Sequence, residues 1–346
     1  MKILSIVFML LGVYVGAGIA SGQEVAIYFS RYGFLSIPIA IITGFAFVFF
    51  VMWMYNLSTK YNAKSINEFN NYVFPKYKNM LNIFYGVALI IIISAMLSSN
   101  IEISKIIFNK SSIIMQLVTI ILLFIVLQGG VNRISKVSNI LVPFIVLFII
   151  ILFALTIKTF SINVVKLSVN MFSCAMCCIN YYFLNILFVS MFVFTVSHKY
   201  THKQMLVGAT ISGVVITMLL IFISLLIVFT NSLNVDLPII NIAFKCGNIW
   251  GYCSIIVVWI SLFTTLILNT YALINQTFFM KNKLLKFVLI MLIASLISLI
   301  KFSIIVQWVY LIISTFSIVY FCCIYYVTKH SKSNKILHTK NAVSLH

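Results

Sequence analysis

Acidic residues are nearly missing from this 346-residue chain, where four Asp and Glu stand against 23 Lys and Arg. The one aspartate, Asp236, leaves no pair of intramembrane aspartates for an aspartic protease. There is no GxxxxGK[ST] phosphate loop and no HExxH zinc motif, so nothing supports an ATP-driven pump or a metalloprotease. The histidines, at 198, 202, 330, 338 and 346, lie near or beyond the ends of the apolar runs. Seven cysteines are too apolar in setting for a disulfide framework. Cys174, Cys177 and Cys178 have no histidine or acid close in sequence and read as small apolar residues. No catalytic residue, metal or cofactor is expected, and the chain does not read as an enzyme.

What is present is hydrophobic. Apolar residues make up 63% of the chain and charged residues 8%, with a mean hydropathy of +1.17. No soluble domain of this length has enough interior for that surface, so the chain reads as an integral membrane protein. Ten apolar runs are marked, at 3–31, 34–57, 80–99, 112–128, 137–160, 170–197, 204–230, 250–279, 285–301 and 303–327. Most are as long as a spanning helix and do not alternate as barrel strands do. The expected class is an all-α polytopic protein with one transmembrane domain over 1–330 and a flexible tail over 331–346. The first run is read as a membrane helix and not a leader, because similar runs follow it throughout. The polar 58–79 loop has room for a short surface helix. "DLPIINIAFKCGN", in the 231–249 loop, suggests an amphipathic helix lying on the outer surface. Pro143 is placed to kink the fifth run.

The net charge of +19 resides mainly between the runs. Lipid headgroups, not nucleic acid, are therefore the expected partner. With the N-terminus inside, every inner segment is basic, from Lys60, Lys64, Lys76 and Lys78 in the first loop to Lys329, Lys332, Lys335 and Lys340 after the last run. The inside then holds about twice as many basic residues as the outside, which puts both termini in the cytoplasm.

"GVYVGAGIASGQEVAIYFSRYG", from Gly12 to Gly33, packs four glycines into its first eleven residues and then carries Glu24. A straight helix over 3–31 would be about 43 Å long, against roughly 30 Å of hydrocarbon. Two readings of the glycines stand together. Gly12, Gly16, Ala20 and Gly22 make a small-residue face for a close neighbour. Alternatively, the helix is interrupted near Gly16, Ala17 and Gly18, and its freed carbonyls face protein, a cavity or an ion. Glu24 favours the interruption, since it is the one acid within any marked run and such a charge faces a bundle interior or water. Gln23 is its neighbour, and Ser21 and Tyr28 share its helical face.

"VGAGIASGQE" followed by "FSRYG" resembles the first-helix signature of the YkvI-like bacterial membrane proteins. That family in turn resembles the amino acid–polyamine–organocation superfamily, with its five-plus-five inverted repeat known as the LeuT fold. The resemblance implies ten spans and secondary transport along a broken first helix, matched here by Gly16, Gly18, Gly22, Gln23 and Glu24. It also implies a broken sixth helix. Run 170–197 departs from that pattern, having no glycine or proline, although Asn180, Tyr181, Tyr182 and Asn185 make its middle polar. Thr264 and Thr265 resemble the paired hydroxyls of the superfamily's sodium-coupled members.

From the residues themselves, Ser261, Thr264 and Thr265 lie one turn apart and are placed to complete a cation site with carbonyls of Val15 to Gly18, with Na⁺ as the ion. Bonding to their own helix is the simpler alternative. Ser94 and Ser98 share a face, and with Asn180, Tyr181 and Asn185 they are candidates to line a path or to join helices. The functional expectation is a monomeric or homodimeric plasma-membrane transporter for an amino acid or other small amine, driven by Na⁺ or H⁺. A channel or passive pore is the first alternative, and a sensor that recruits a partner is the second.

Overall fold

The computed structural model describes residues 2–108, 113–159, 171–276 and 282–343, and among these every regular element is helical. In chain order they are α1 (Lys2–Tyr14), α2 (Ala17–Ala20), α3 (Gln23–Tyr28), α4 (Ser36–Lys60), α5 (Ile66–Val73), α6 (Lys78–Phe108), α7 (Ile113–Leu127) and α8 (Gly130–Thr159). Then come α9 (Met171–Val196), α10 (His202–Phe229), α11 (Pro238–Cys246), α12 (Asn248–Gln276), α13 (Lys283–Ile297), α14 (Phe302–Ile304) and α15 (Tyr310–Val343). One π-helical turn, Ile305–Val309, joins the last two.

Among the described residues, seven helices are long and apolar enough to cross a membrane: α4, α6, α8, α9, α10, α12 and the α14–α15 run. The remaining marked runs are also helical but shorter. Thus α1, at 13 residues, reaches only about 20 Å, and α7 and α13 have 15 residues each. Large apolar side chains face outward along the long helices, among them Phe45 and Phe49 on α4, Phe144 and Leu147 on α8, and Phe316 and Val319 on α15. In water such a surface would be prohibitive, whereas lipid covers it without cost.

Helix α1 sits innermost. It packs against α8, α9, α10 and α12 and buries every residue from Met9 to Tyr14. Helices α4 and α10 approach backbone to backbone, so a methyl group built on Gly44 would lie 2.9 Å from the Gly213 carbonyl oxygen. Close crossings through small residues hold helices together where no hydrophobic driving force acts between them.

Local chemistry sets the ends. Ser65 caps α5 by accepting from the Glu68 N–H at 3.2 Å, while Glu68 reaches back to the Lys64 N–H at 2.8 Å. Thr201 and Gln204 form a reciprocal capping box at the start of α10, each side chain accepting from the other's N–H. Pro238 opens α11, and Gly247, at φ 140°, lies between it and α12.

Three expectations need correction. Run 3–31 is broken twice, not once. Run 170–197 forms the continuous helix α9 over its described residues 171–196, because its buried polar side chains bond locally or to neighbours and leave the backbone ladder intact. Helix α11 does not lie on the outer surface. It buries Pro238, Ile239, Ile240, Ile242 and Ala243 against α8, α10 and α12, because its apolar face is wide enough to join the core. Helix α15 continues as far as Val343, with no glycine or proline to end it, and residues 344–346 lie outside the described residues.

Candidate functional site

The first break follows Tyr14. Val15 and Gly16 are non-helical, and the Gly16 N–H reaches only the Tyr14 carbonyl, at 3.1 Å. One turn, α2, resumes at Ala17, so Ala17 and Gly18 lie inside that turn and not at the break. The second break comes at Ser21 and Gly22. Gly22 has φ 83°, a left-handed conformation that favours glycine, and its α-carbon also faces Ile239, Ile227 and Pro238. The Ser21 carbonyl, released from the helix, accepts the Ile239 N–H at 2.9 Å and so ties α11 to the break. The small-residue reading is correct as well, since Gly12 and Gly16 face Leu268 and Thr265 of α12 at 3.0 and 3.4 Å from an added methyl.

Glu24 lies on α3, in the first turn after the second break, with 5% of its surface exposed. Its carboxylate folds back over Gly18 into the space a β-carbon there would occupy. No hydrogen-bond or ion-pair partner for it is found among the described residues. Around it stand Tyr14 on α1, Tyr28 on α3, Tyr181 on α9 and Tyr310 on α15, all within electrostatic reach of the carboxylate. The Tyr181 ring meets those of Tyr14, Tyr28 and Phe29 at 6.2, 5.5 and 4.8 Å between centroids. The Tyr310 hydroxyl is buried without a hydrogen bond, and the buried hydroxyls of Tyr14 and Tyr181 have only each other as partners. Tyr28 donates a long bond, 3.3 Å, to the Val306 carbonyl in the π-helical turn. A turn of this kind inside a helix is common at functional sites. Each buried unpaired group costs about 1–3 kcal/mol, so an unpaired phenol near an unpaired carboxylate marks a site built for something polar.

The carbonyls at the end of α1 meet hydroxyls of α12. Ser261 donates to the Val15 carbonyl at 2.7 Å, and Thr265 donates to the Gly12 carbonyl at 3.0 Å. The structure thus brings Val15, Ser261 and Thr265 together. Thr264 instead bonds the Ser261 carbonyl of its own helix at 2.8 Å, and the Gly18 carbonyl receives the Ser21 hydroxyl at 3.4 Å. Other sequence candidates bond elsewhere. Ser94 bonds Ile90 within α6, and Ser98 donates to Ile300 at 2.6 Å, in the turn between α13 and α14. Asn180 accepts from Ser314 at 3.1 Å, whereas Asn185 bonds Tyr181 in its own helix.

Gln23 lines a cavity of about 320 Å³ with Arg31, Asp236, Ser303 and Gln307. Its Oε1 is buried without a partner. This vestibule opens beside Gln23, the residue before Glu24, at the α11 end of the bundle. The opposite end holds a second cavity, of about 340 Å³, between α7, α12 and α13, beside a packed layer. There α5 buries Ile66, Phe69 and Asn70. Tyr320 donates to Asn70 at 2.6 Å, the Ser58 and Ser197 hydroxyls meet at 2.6 Å, and Tyr55 donates to the Tyr200 carbonyl at 3.0 Å.

Sequence reasoning did not find Tyr14, Tyr310, the π-helical turn or the vestibule residues. Tyr14 carried a faint signal, two residues before Gly16. Tyr310 carried none, because it meets Glu24 only through the fold.

No family model matches the chain. Over 148 residues it is 30% identical to an uncharacterized membrane protein, YkvI, of Bacillus subtilis strain 168. The aligned stretch covers 42% of this chain and 43% of that protein, so the chain spans less than half the length of the curated relative it matches. Apolar helices on this scale and that likeness identify a multi-pass bacterial membrane protein with family-level kinship to YkvI.

Proposed function

We propose that the chain is a secondary active transporter that carries a small solute, an amino acid or other small amine, across the plasma membrane by alternating access. The observation that carries this reading is the twice-broken α1–α3 segment, which holds Glu24 buried and unpaired among buried tyrosines. Broken helices that present backbone and side-chain groups near the midplane are how such carriers bind solute and ion.

In this reading the apolar segments make ten spans arranged as two inverted sets of five. Both termini are cytoplasmic, the vestibule faces outward and the α5 end faces the cytoplasm. The carrier works as a monomer or homodimer. Coupling is by Na⁺ or H⁺. For Na⁺, the carbonyls of Gly12 and Val15 and the hydroxyls of Ser261 and Thr265 are the ligands at hand, all oxygen as a hard cation requires. For H⁺, Glu24 is the carrier.

Uptake into proteoliposomes tests the proposal. A gradient of Na⁺ or H⁺ is expected to drive accumulation of a small amine against its own gradient, and Glu24→Gln is expected to abolish it. Flux that only ever runs downhill would instead identify a passive pore. No flux under any gradient would leave a non-transporting membrane protein.

A further inference from the structure

The cavity between α7, α12 and α13, about 340 Å³ in volume, has walls of two kinds. Phe124 and Leu127 on α7, Ile274 on α12 and Phe287 on α13 make one side apolar. The Phe124 and Phe287 rings meet at 5.2 Å between centroids and join α7 to α13 along that side. Gln128, Asn275 and Lys283 make the other side polar. This lining comes from the end of α7, the end of α12 and the start of α13. The cavity therefore lies where the helices run out and lipid headgroups begin.

Charge there has one sign. The chain holds no acidic residue between 103 and 235 or after 236, so none is near in sequence to any of this lining. Arg133 folds back over Gly129 and donates to the Ile125 carbonyl at 2.9 Å, at the end of α7. Lys286 donates to the Ile274 carbonyl at 3.4 Å, at the end of α12. Both bring positive charge to the edge of the cavity. Lys283, on the lining itself, is exposed and has no hydrogen bond or ion pair among the described residues. The N-terminus of α13 adds its partial positive charge beside it.

An apolar wall next to a free cation fits a molecule that joins hydrocarbon to an anion. Phospholipids with a net negative charge do so, and basic pockets between membrane helices take their headgroups. An ethanolamine headgroup carries its own ammonium, for which this lining offers no carboxylate. A free phosphate would leave the phenylalanine wall uncovered. We propose that this cavity binds one anionic phospholipid, its phosphate on Lys283 and its glycerol and upper acyl chain against Phe124, Leu127 and Phe287. The Asn275 amide gives one N–H to the Tyr271 carbonyl and has a second for the phosphate. The orientation proposed above puts this lipid in the cytoplasmic leaflet, but its binding rests on neither that orientation nor transport.

Dioleoyl-phosphatidylglycerol and dioleoyl-phosphatidylethanolamine are titrated separately into the purified full-length protein in detergent. Native mass spectrometry reads the fraction of protein carrying one lipid. Half-occupancy is expected at a concentration about fivefold or more lower for phosphatidylglycerol, the worth of roughly one basic residue at an anionic surface. Lys283→Gln, an exposed change that leaves the fold intact, is expected to remove most of that ratio. Lys245→Gln, at the α11 end of the bundle, is expected to keep it. Leu127→Trp, which fills the apolar side, is expected to weaken phosphatidylglycerol by about fivefold or more. Glycerol 1-phosphate at equal concentration is expected not to displace the lipid.

The proposal is overturned if the two lipids bind alike or if the ratio survives Lys283→Gln. An equal loss in Lys245→Gln would overturn it in favour of a general pull by the net charge. Unchanged binding in Leu127→Trp would replace the cavity with headgroup contact at the surface, and displacement by glycerol 1-phosphate would replace the lipid with a free phosphate.

Discussion

A methyl group on residue 18 would displace the Glu24 carboxylate, whereas one on residue 16 would meet Thr265 and Met96 at ordinary distances of 3.4–3.7 Å. Two neighbouring glycines therefore predict different outcomes. Gly18→Ala is expected to cut solute uptake by about tenfold to a hundredfold, because it moves the charged group by an ångström or more. Gly16→Ala is expected to keep most of it. Uptake by the two purified variants, normalised to reconstituted protein, checks the contrast. Glu24→Gln separates function from folding in another way. The wild-type carboxylate is buried without a partner, so the uncharged amide removes the added cost of keeping an ion there. Its unfolding midpoint in detergent is expected to equal or exceed wild type while transport is lost. A lower midpoint would mean that the carboxylate holds the fold together.

At the scale of elements, the α1–α3 segment is the informative one. Gly22 needs its left-handed backbone, which costs another residue about 1–2 kcal/mol. A β-carbon there would also stand 3.0 Å from Ile239. Gly22→Ala is expected to lower the unfolding midpoint more than Gly16→Ala does. Gly16→Leu is expected to damage transport more than membrane insertion, read by comparing uptake with the amount of protein in the membrane fraction. Much of this segment was legible beforehand, because four glycines and one acid inside an apolar run contradict everything a plain spanning helix prefers. That the backbone breaks twice was not legible. Gly22 reads equally well as a packing residue, and only its contacts with Ile239 and Ile227 show that it does both. Helix α11 was visible from Pro238 and its apolar spacing. Its burial was not, since an amphipathic helix in a loop has the same pattern whether it lies on lipid or on protein. The hydroxyls of Ser261 and Thr265 were found by their one-turn spacing, but that spacing could not say that Thr264 turns back to its own helix.

Across the whole molecule, length and hydropathy made the helical class readable, whereas helix ends were not, since α6 runs to Phe108 and α8 starts at Gly130, well beyond the marked runs 80–99 and 137–160. Of the tyrosines around Glu24, Tyr28 and Tyr181 were named from the sequence, while Tyr14 and Tyr310 were hidden because no local pattern links positions so far apart. The crossing of α4 and α10 was likewise invisible, since Gly44 and Gly213 sit in ordinary apolar helices with nothing in the sequence to pair them. Gly213→Leu is expected to lower the unfolding midpoint clearly, as its side chain would collide with Val48 and the Gly44 carbonyl. Single cysteines at Asn62 and Asn234, on a background with the native cysteines replaced, test the orientation of the bundle. An impermeant thiol reagent outside intact cells is expected to label position 234 and to spare position 62.

The hydrogen bond from Ile239 to the Ser21 carbonyl makes α11 a leash on the hinge of the innermost helix. Most of α11 is hidden, but Asn241 and Lys245 reach the surface. An antibody fragment gripping only those two side chains would touch neither solute nor ion, and yet would set how far the hinge can swing.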